Sequence, residues 1–333
     1  MIDPKVAIII SNYNGISAKY RGRPILSTLL SGVSKTRYNN YYIILADDHS
    51  NDESIGFVRK NYPNVDIFFN KKNEGFSKLN NKAIKYALKK YKPRYILLLN
   101  NDLMIKRKDW LKNLVNAIRK DESVGIEGCK LLYPNGKIQH AGLEIGNVVP
   151  LLPPYNKLAG HADAPAYSKI KYVSGVTGAV FLIRSDVINK IGFFDENFVM
   201  GHEDIDYCLR AEAAGFKILY NGLVSITHLE GFTSTNSKDK NMRLRMFYYF
   251  IRNFVYFRNK YRYRYPFLVY MKSQFLLISW VFFNYRSGGK LRNIKNVRLR
   301  SNMLIYLLEF IKGYRDGMRI SNHTFERSRI CDD

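Results

Sequence analysis

Short apolar runs and amphipathic stretches alternate along the first 130 residues of the chain. The apolar runs predict strands at KVAIII (5–10), YYIILA (41–46), VDIFF (65–69), RYILLLN (94–100) and VGIEG (124–128). Apolar residues at helical spacing predict helices at SKLNNKAIKYALKKY (77–91) and DWLKNLVNAIRK (109–120). Apolar strands separated by helices are typical of a mainly parallel sheet covered on both faces. We therefore expect an α/β fold.

Beyond residue 130 the pattern is less regular. LLYPNGKIQHAGLEIG (131–146) carries Pro-Asn-Gly between two short runs and predicts a hairpin or a loop excursion. Residues 147–171 hold four of the ten prolines, which predicts a mobile loop. VTGAVFLIRSDVINKIGFFD (176–195) predicts another buried strand followed by a helix.

The last part of the chain mixes aromatic and basic residues. NMRLRMFYYFIRNFVYFRNKYRYRY (241–265) has them at roughly helical spacing, and FLVYMKSQFLLISWVFF (267–283) is the most apolar window. A membrane-spanning helix needs about 20 mostly apolar residues, and this window is shorter and contains Lys272. We expect a helix lying in the membrane interface; a helix packed on the main domain and a true span are the alternatives.

The net charge of +25 is distributed unevenly along the 333 residues. Residues 240–333 hold 20 Lys and Arg against 5 Asp and Glu, a net +15, and the preceding residues carry +10. A basic, aromatic-rich tail indicates an anionic partner such as lipid, nucleic acid or a phosphorylated substrate, unless it only keeps the surface soluble. The three cysteines are widely spaced and suit a reducing compartment, and the N-terminus shows no signal-peptide pattern.

Polar clusters follow four of the predicted strands. In chain order they are Ser11, Asn12 and Tyr13; Asp47 and Asp48; Asn73, Glu74 and Gly75; and Asn100, Asn101 and Asp102. Each cluster alone could be ordinary turn chemistry, because Asn, Asp and Gly are turn residues. In an open α/β sheet, however, ligands bind outside the carboxyl ends of the strands. Four such clusters in succession therefore predict a binding site.

A nucleotide at this site would need its phosphates neutralised without a glycine-rich phosphate loop, since neither GxxxxGK[ST] nor a strand-linked GxGxxG occurs. Asp102 is placed to hold a divalent cation, which typically takes one or two protein carboxylates and fills its shell with phosphate and water. Asn100 and Asn101 could orient ribose or water without adding negative charge. Lys78, near the start of the helix after Asn73, could supply a further cation.

A second group of polar residues lies in GHEDIDYCLRAEAAG (201–215). Acidic residues at a helix start are favoured by the helix dipole alone. Glu203 and Asp204, however, follow an approach that contains Gly192 and Gly201, and a carboxylate at such a junction could act as a general base toward a hydroxyl. His228, at the end of LVSITH, is either structural or a further contact to metal or diphosphate.

Taken together, the motifs resemble those of family 2 glycosyltransferases with the GT-A fold, especially the rhamnosyltransferase-like branch. The matching segments are SNYNG (11–15), ILADDHSNDES (44–54), NEGFSKLNN (73–81), YILLLNNDL (95–103), GCKLLYPNGKIQHAG (128–142), VTGAVFLIRSDVINKIGFFDENF (176–198), EDIDYCLRAEAAGFKILY (203–220) and HLEG (228–231). They occur in the family's order and cover roughly residues 5–260. The resemblance implies a Rossmann-like, mainly parallel sheet flanked by helices, with a basic helical extension after it.

The resemblance also implies a metal-dependent, inverting transfer of a sugar from a nucleoside-diphosphate donor. Asp47 would then read the base or ribose, with Ser11 to Tyr13 lining the same pocket. Asp102 would hold Mg²⁺ or Mn²⁺, and Asp204 would be the base that deprotonates the acceptor hydroxyl. Many members of the family have Asp where this chain has Asn100, so we expect weak metal binding that the donor assists.

For partners, the resemblance implies dTDP-rhamnose or a UDP-sugar as donor and a glycan or lipid-linked acceptor, with no nucleic acid. We expect residues 1–240 to form the catalytic domain, with donor binding in 1–130 and acceptor binding and catalysis in 131–240. Residues 241–333 would hold the enzyme at the cytoplasmic face of a membrane. The alternatives are a non-catalytic basic protein that binds anionic lipid or nucleic acid, and a nucleotidyltransferase, which would normally carry a glycine-rich basic loop after its first strand.

Overall fold

The computed structural model describes residues 3–144, 158–229, 240–262 and 308–321. The chain divides into two compact units. The first comprises Met1–Glu144 and Asn156–Lys238, and the second comprises Ile145–Tyr155 and Asp239–Asp333. That residues 1–130 bind the donor and residues 131–240 the acceptor stays a prediction.

The described elements alternate between strands and helices, as the sequence predicts. The strands are β1 (Val6–Asn12), β2 (Lys19–Tyr20), β3 (Arg23–Pro24), β4 (Tyr41–Asp47), β5 (Val65–Phe69), β6 (Tyr95–Asn100), β7 (Leu103–Met104), β8 (Val124–Leu132), β9 (Ile138–His140), β10 (Ile170–Val173), β11 (Val180–Arg184) and β12 (Lys217–His228). The helices are α1 (Ile25–Val33), α2 (Ser54–Asn61), α3 (Phe76–Tyr91), α4 (Trp110–Ile118), α5 (Ser185–Ile191), α6 (Glu203–Ala213), α7 (Lys240–Lys260) and α8 (residues 308–321).

One sheet organises the first unit. Its order is β10-β12-β8-β11-β6-β1-β4-β5, with β7 added to β12 and β9 to β8. β1 pairs in parallel with both β4 and β6, and β4 pairs in parallel with β5. β11 runs antiparallel to β6 and β8, and β12 is parallel to β8. The six strands β5, β4, β1, β6, β8 and β12 therefore share one direction inside a mixed sheet, and the expected α/β sheet flanked by helices is confirmed.

Side chains of each central strand alternate between two apolar layers, which explains why these strands are apolar throughout. In β1, Ile8 and Ile10 join the layer that packs on α1 and α4, and Ala7 and Ile9 join the layer on α3, α5 and α6. Trp110 on α4 is buried and donates its indole N–H to Thr36 Oγ1 at 2.8 Å. The two layers hold the carboxyl ends of the strands at one edge of the sheet.

The segment after residue 130 is more ordered than the sequence indicates. β8 and β9 form the predicted hairpin, closed by a 2.9 Å hydrogen bond from Gly136 N–H to the Tyr133 carbonyl, with Gly136 at φ +81°. Of the predicted mobile loop, the part up to residue 157 lies outside the described residues. Residues 158–171 include a 3-10 helix and the start of β10 rather than a loop without regular structure. Buried Lys130 anchors this part through Asp163 at 2.8 Å.

The second unit contains the described helices α7 and α8. Ile251, Phe254 and Val255 of α7 form an apolar cluster with Phe310 and Tyr314 of α8 among others. The predicted interfacial helix at 267–283 lies outside the described residues. Among the helices that the structure describes, none is long and apolar enough to cross a membrane.

Candidate functional site

Three of the four predicted polar clusters meet at one edge of the sheet because their strands are neighbours in register. Asn12, the last residue of β1, stands beside Asp47 at the end of β4. Ser11 stands beside Asn100 at the end of β6. The first strand therefore lies between the acids of the second cluster and the amides of the fourth.

A chain of buried hydrogen bonds joins these clusters. Asn101 Nδ2 donates to Asn12 Oδ1 at 2.8 Å, and Asn12 Nδ2 donates to Asp47 Oδ2 at 2.7 Å. Asp47 also accepts from the Ser50 hydroxyl at 2.7 Å and the Ser50 backbone N–H at 2.8 Å. Asp47 is 0% exposed, so its carboxylate is occupied by the protein. Its geometry suits a residue that orients Asn12 and Ser50 rather than one that offers a bare oxygen.

The glycine of SNYNG is explained by the same amide pair. A Cβ on Gly15 would collide with Asn12 Oδ1 and would lie tightly, at 3.0 Å, against Asn101 Nδ2. The preceding Asn14 has φ +52°, and its side-chain oxygen accepts the Asn51 N–H at 2.9 Å. Half-buried Tyr13 follows Asn12 directly at the strand end. The motif therefore folds back tightly against the network.

Asp48 holds the third cluster in place. Its Oδ1 accepts from the Glu74 N–H at 2.9 Å and its Oδ2 from the Gly75 N–H at 2.8 Å. Asn73 donates to the Asp48 carbonyl at 3.3 Å. Asp48 thus accepts the N–H groups just before α3, at a helix N-terminus, a position that favours an anion. Lys78 is half-buried in the first turn of α3.

Asp102 and His228 lie together although they are far apart in sequence. The short strand β7 follows Asp102 and pairs antiparallel with the end of β12, with Leu103 opposite His228. The Leu229 N–H donates to the Asp102 carbonyl at 2.9 Å. As a result, His228 Nε2 is 3.0 Å from Asp102 Oδ1, and both side chains are buried.

Gln139 of β9 fixes the orientation of the His228 ring. Its Oε1 lies 2.7 Å from His228 Nδ1, which makes Nδ1 the donor and leaves Nε2 with a lone pair in the neutral ring. That lone pair faces the Asp102 carboxylate, and two electron-pair donors at this distance require a shared proton or a cation. The carboxylate is a ligand that suits Mg²⁺ or Mn²⁺, and the imidazole nitrogen is more typical of the later first-row divalent metals. Among the described residues no cluster of three or more His, Cys, Asp or Glu side chains forms a complete cage.

Asp204 sits in the first turn of α6 and reaches back toward the end of β6. Its Oδ2 accepts the Gly178 N–H at 2.8 Å, and its Oδ1 accepts the Ile205 N–H at 2.9 Å. The next carbonyl, that of Ala179, accepts the Asn100 N–H at 3.1 Å. Through these two bonds Asp204 stands next to the strand end that carries Asn100 and, two residues on, Asp102.

The orientation of α6 is held by contacts further along the helix. Arg210 pairs with buried Asp206 at 2.9 Å and donates to the carbonyls of Ile191 and Phe193, each at 2.9 Å. Gly201, before the helix, has φ +90°, a left-handed conformation that favours glycine. The loop before α6 and the helix itself therefore fix the position of Asp204.

Burial raises the pKa values of both acids at the start of α6. The pKa of Glu203 rises to about 8, because its side chain is buried and Asp204 lies beside it. Its Oε2 has no hydrogen-bond partner among the described residues. The pKa of Asp204 is also raised, chiefly by burial, although the Gly178 and Ile205 N–H groups oppose this. A carboxylate with a raised pKa is a stronger base, which suits proton abstraction near neutral pH.

Several residues that shape the site carry no signal strong enough to be found from sequence. Gln139 lies within a matched motif but is one polar residue in a short strand. Asp48 belongs to one of the predicted polar clusters, but the sequence assigns it no function. Asn80 of α3 accepts the Ser11 hydroxyl hydrogen bond at 2.9 Å, and Gly178 supplies the N–H to Asp204. These residues act through contacts that depend on the tertiary structure.

Comparison with known proteins agrees with this architecture. The family model described as "Glycosyltransferase like family 2" matches residues 4–248. The O-antigen biosynthesis protein RfbC of Myxococcus xanthus is 27% identical over 234 residues, covering 68% of this chain. The chain spans only 17% of that relative and 26% of an uncharacterized protein, y4gI, of Sinorhizobium fredii, which is 26% identical over 257 residues.

Three further comparisons involve one curated relative and two solved structures. Rhamnosyltransferase WbbL of Escherichia coli is 25% identical over 190 residues, which cover 55% of this chain and 70% of WbbL. Among solved structures, the mannosyltransferase PcManGT of Pyrobaculum calidifontis, in complex with GDP-Man and Mn²⁺, superposes with a TM-score of 0.54 at 13% identity, covering 94% of this chain and 87% of that one. GalNAc-T7 with UDP, GalNAc and Mn²⁺ gives a TM-score of 0.51 at 18% identity, covering 75% and 50%. The expected GT-A fold is thus confirmed.

Proposed function

Because the chain belongs to glycosyltransferase family 2, we propose that it moves a sugar from a nucleoside-diphosphate sugar to an acceptor hydroxyl, with inversion at the anomeric carbon. The observation that carries the proposal is the Asp102–His228 pair, 3.0 Å apart at the carboxyl ends of the strands. The pair presents a carboxylate and an imidazole lone pair where a donor diphosphate would lie.

The nucleoside end of the donor would bind at the network of Ser11, Asn12, Tyr13 and Asn101. Asp47 fixes the amide of Asn12 from behind, since its own oxygens are taken by Asn12 and Ser50. Asn73, which donates to the Asp48 carbonyl, and Lys78, in the first turn of α3, would border the same pocket. Neutral amides let this pocket accept ribose and water without repelling a diphosphate.

Asp102 and His228 would hold Mg²⁺ or Mn²⁺, and Gln139 would keep the His228 ring in the tautomer that leaves Nε2 unprotonated. When bound, the cation would supply charge stabilisation for the departing diphosphate. Two protein ligands leave most of the coordination shell to donor oxygens and water. We therefore expect metal and donor to bind together rather than the metal alone.

Asp204 would act as the general base. It removes the proton from the acceptor hydroxyl as the oxygen forms its bond to the anomeric carbon and the bond from that carbon to the diphosphate oxygen breaks. The proton ends on Asp204 and the electron pair on the leaving diphosphate, so a single displacement inverts the configuration. The Gly178 N–H holds the carboxylate in place for this step, and Glu203, protonated at neutral pH, adds no second negative charge beside it.

For the substrates we propose dTDP-rhamnose, or a UDP-sugar, as donor and a lipid-linked glycan as acceptor. WbbL is named a rhamnosyltransferase, and a relative from Mycobacterium tuberculosis, 20% identical over 233 residues, is named N-acetylglucosaminyl-diphospho-decaprenol L-rhamnosyltransferase. An acceptor of that kind would require a peripheral enzyme at the inner face of the membrane. The basic segment 241–333 would provide the attachment.

The test is transfer and donor hydrolysis across a panel of nucleotide sugars with Mg²⁺, Mn²⁺ or EDTA. Wild type would be run beside Asp102→Ala, Asp204→Asn and the control Asp186→Asn, an exposed carboxylate at the start of α5. We expect one donor class to turn over with metal, both site variants to lose turnover, and the control to keep it. If no donor bound under any metal condition, the proposal would be wrong.

A further inference from the structure

The exposed face of α8 combines aliphatic and basic side chains. Leu308 and Ile311 are 56% and 54% exposed, although large aliphatic residues are normally buried. Lys312, Arg315 and Arg319 are exposed as well. At 3.6 residues per turn these five positions fall within about one third of the helix circumference. We call them the outer face of α8.

The opposite face of α8 fixes which side points outward. Gly313 and Gly317 lie directly against α7, where a Cβ would stand 3.0 Å from the Tyr248 carbonyl oxygen and 2.5 Å from that of Arg252. Only glycine permits so close an approach of two helices. Ser321, one turn further on the same side, is buried and accepts a 3.2 Å hydrogen bond from Asn259. The small residues must therefore face α7, and the outer face cannot rotate into the helix pair.

The acidic residues of α8 lie beside the outer face rather than on it. Asp316 accepts a 2.7 Å hydrogen bond from the Tyr248 hydroxyl of α7, and Glu309 is half-buried. Arg315 also lies 3.3 Å from Asp316, but its side chain remains 74% exposed, so this surface pair is weak. The outer face presents three cations and no carboxylate.

We propose that the outer face of α8 binds the surface of an anionic lipid bilayer. Leu308 and Ile311 would enter the boundary between headgroups and acyl chains, and Lys312, Arg315 and Arg319 would contact lipid phosphates while their methylene stems stay in the interface. The inference rests on the proposed function insofar as that function places the enzyme at a membrane. It goes further by assigning the contact to five residues of one helix.

The experiment is vesicle flotation of the full chain with neutral phosphatidylcholine and with phosphatidylcholine containing phosphatidylglycerol. Two variants remove the face: Leu308→Ser with Ile311→Ser, and Lys312→Gln with Arg315→Gln and Arg319→Gln. A charge-matched control is Arg59→Gln, Lys60→Gln and Lys89→Gln, exposed residues near the ends of α2 and α3 in the other unit. Circular dichroism and thermal unfolding check that every variant folds.

We expect binding to anionic vesicles only. The triple face variant should lower the partition coefficient on the order of 100-fold, since each basic residue near an anionic surface contributes about fivefold. The aliphatic variant should lower it by about tenfold or more, and the control should change it little. Equal losses in the face and control variants would show a general charge effect and overturn the assignment, as would binding unaffected by both face variants.

Transfer to a water-soluble acceptor, measured without vesicles, separates this inference from the proposed function. The face variants should keep that activity while losing flotation. A protein that binds vesicles but shows no transfer with any donor would contradict the proposed function and would still support lipid binding by the outer face. If the face bound an acidic protein or a second copy of the chain and the protein did not float with vesicles, the proposal of a bilayer as partner would be wrong.

Discussion

Asp102 Oδ1 and His228 Nε2 are 3.0 Å apart, although the two residues are separated by 126 positions in the chain. The short strand β7 makes this contact, because its pairing with β12 sets His228 beside Asp102, two residues after the end of β6. The amides Asn100 and Asn101 precede Asp102 and leave it as the one carboxylate of the NND motif. The metal site proposed here therefore depends on a histidine brought from the far end of the domain.

Loss of either partner should weaken divalent metal binding. We expect His228→Ala and Asp102→Ala each to lower the affinity for Mn²⁺ in the presence of a nucleoside diphosphate by at least about tenfold, because each removes one of two protein ligands. Electron paramagnetic resonance of free Mn²⁺ measures this directly. His161→Ala, which removes an exposed histidine, is the matched control. Unchanged Mn²⁺ binding in both site variants would contradict the assignment.

Gln139 should matter through the ring it orients. Gln139→Ala removes the acceptor for His228 Nδ1–H, and we expect metal affinity to fall by about 10- to 100-fold, as for other groups that support metal ligands. Gln139→Glu keeps an acceptor at the same place and should restore most of the affinity. The same Mn²⁺ titration distinguishes the two. Equal losses in both variants would point to a packing effect instead.

The elements of the sheet were predictable because their signal is local. The run VDIFF is β5 itself, and the helix read at 77–91 begins only one residue earlier, at Phe76. Strand ends were predictable too, since the apolar run of β6 stops at Asn100, which is the last residue of the strand. The positions of Asp47, Asn100 and Asp102 at one edge follow from parallel pairing alone.

The contacts of the site were not predictable, because they depend on register and on side-chain geometry across distant segments. Nothing in the sequence near Asp47 says that Asn12 and Ser50 take up its oxygens. Asp48 is an aspartate like its neighbour Asp47, but its contacts are different. They depend on the path of the loop that brings the Gly75 N–H to its carboxylate. The antiparallel direction of β11 likewise cannot be read from its sequence VFLIR.

Asp48 should be essential for the shape of the third cluster. Asp48→Ala leaves the N–H groups of Glu74 and Gly75 and the amide of Asn70 without their acceptor. Since each unsatisfied buried donor costs about 1–3 kcal/mol, we expect a loss of at least about 3 kcal/mol in the free energy of unfolding. Urea denaturation measures it. Asp66→Ala is the control, because its partners Lys90, Tyr86 and Tyr91 donate from side chains, which can turn to water, and not from backbone N–H groups. A similar loss there would remove the distinction.

Glu203 should make stability depend on pH. Its folded-state pKa of about 8 lies above the ordinary value of 4.5, so the unfolded chain releases this proton first and stability falls between those two pH values. Glu203→Gln keeps the shape and removes the ionisation. We expect the free energy of unfolding of the variant, relative to that of wild type, to increase between pH 5 and pH 8.5 by at most about 5 kcal/mol. Thermal unfolding at both pH values measures the gap, and a gap that does not change with pH would contradict a neutral buried Glu203.

Asp204 should control both kcat and the fall of kcat at low pH. Asp204→Asn keeps the Gly178 N–H contact but cannot accept a proton, so we expect kcat to fall by at least about 100-fold, with donor affinity nearly unchanged. In wild type, kcat should fall as pH drops through the raised pKa of Asp204, because the protonated acid is not a base. Stopped assays over a pH series, with calorimetry for donor binding, measure both. Asp186→Asn should keep the wild-type profile. An Asp204→Asn enzyme that retains kcat and the acid limb would show that another residue takes the proton.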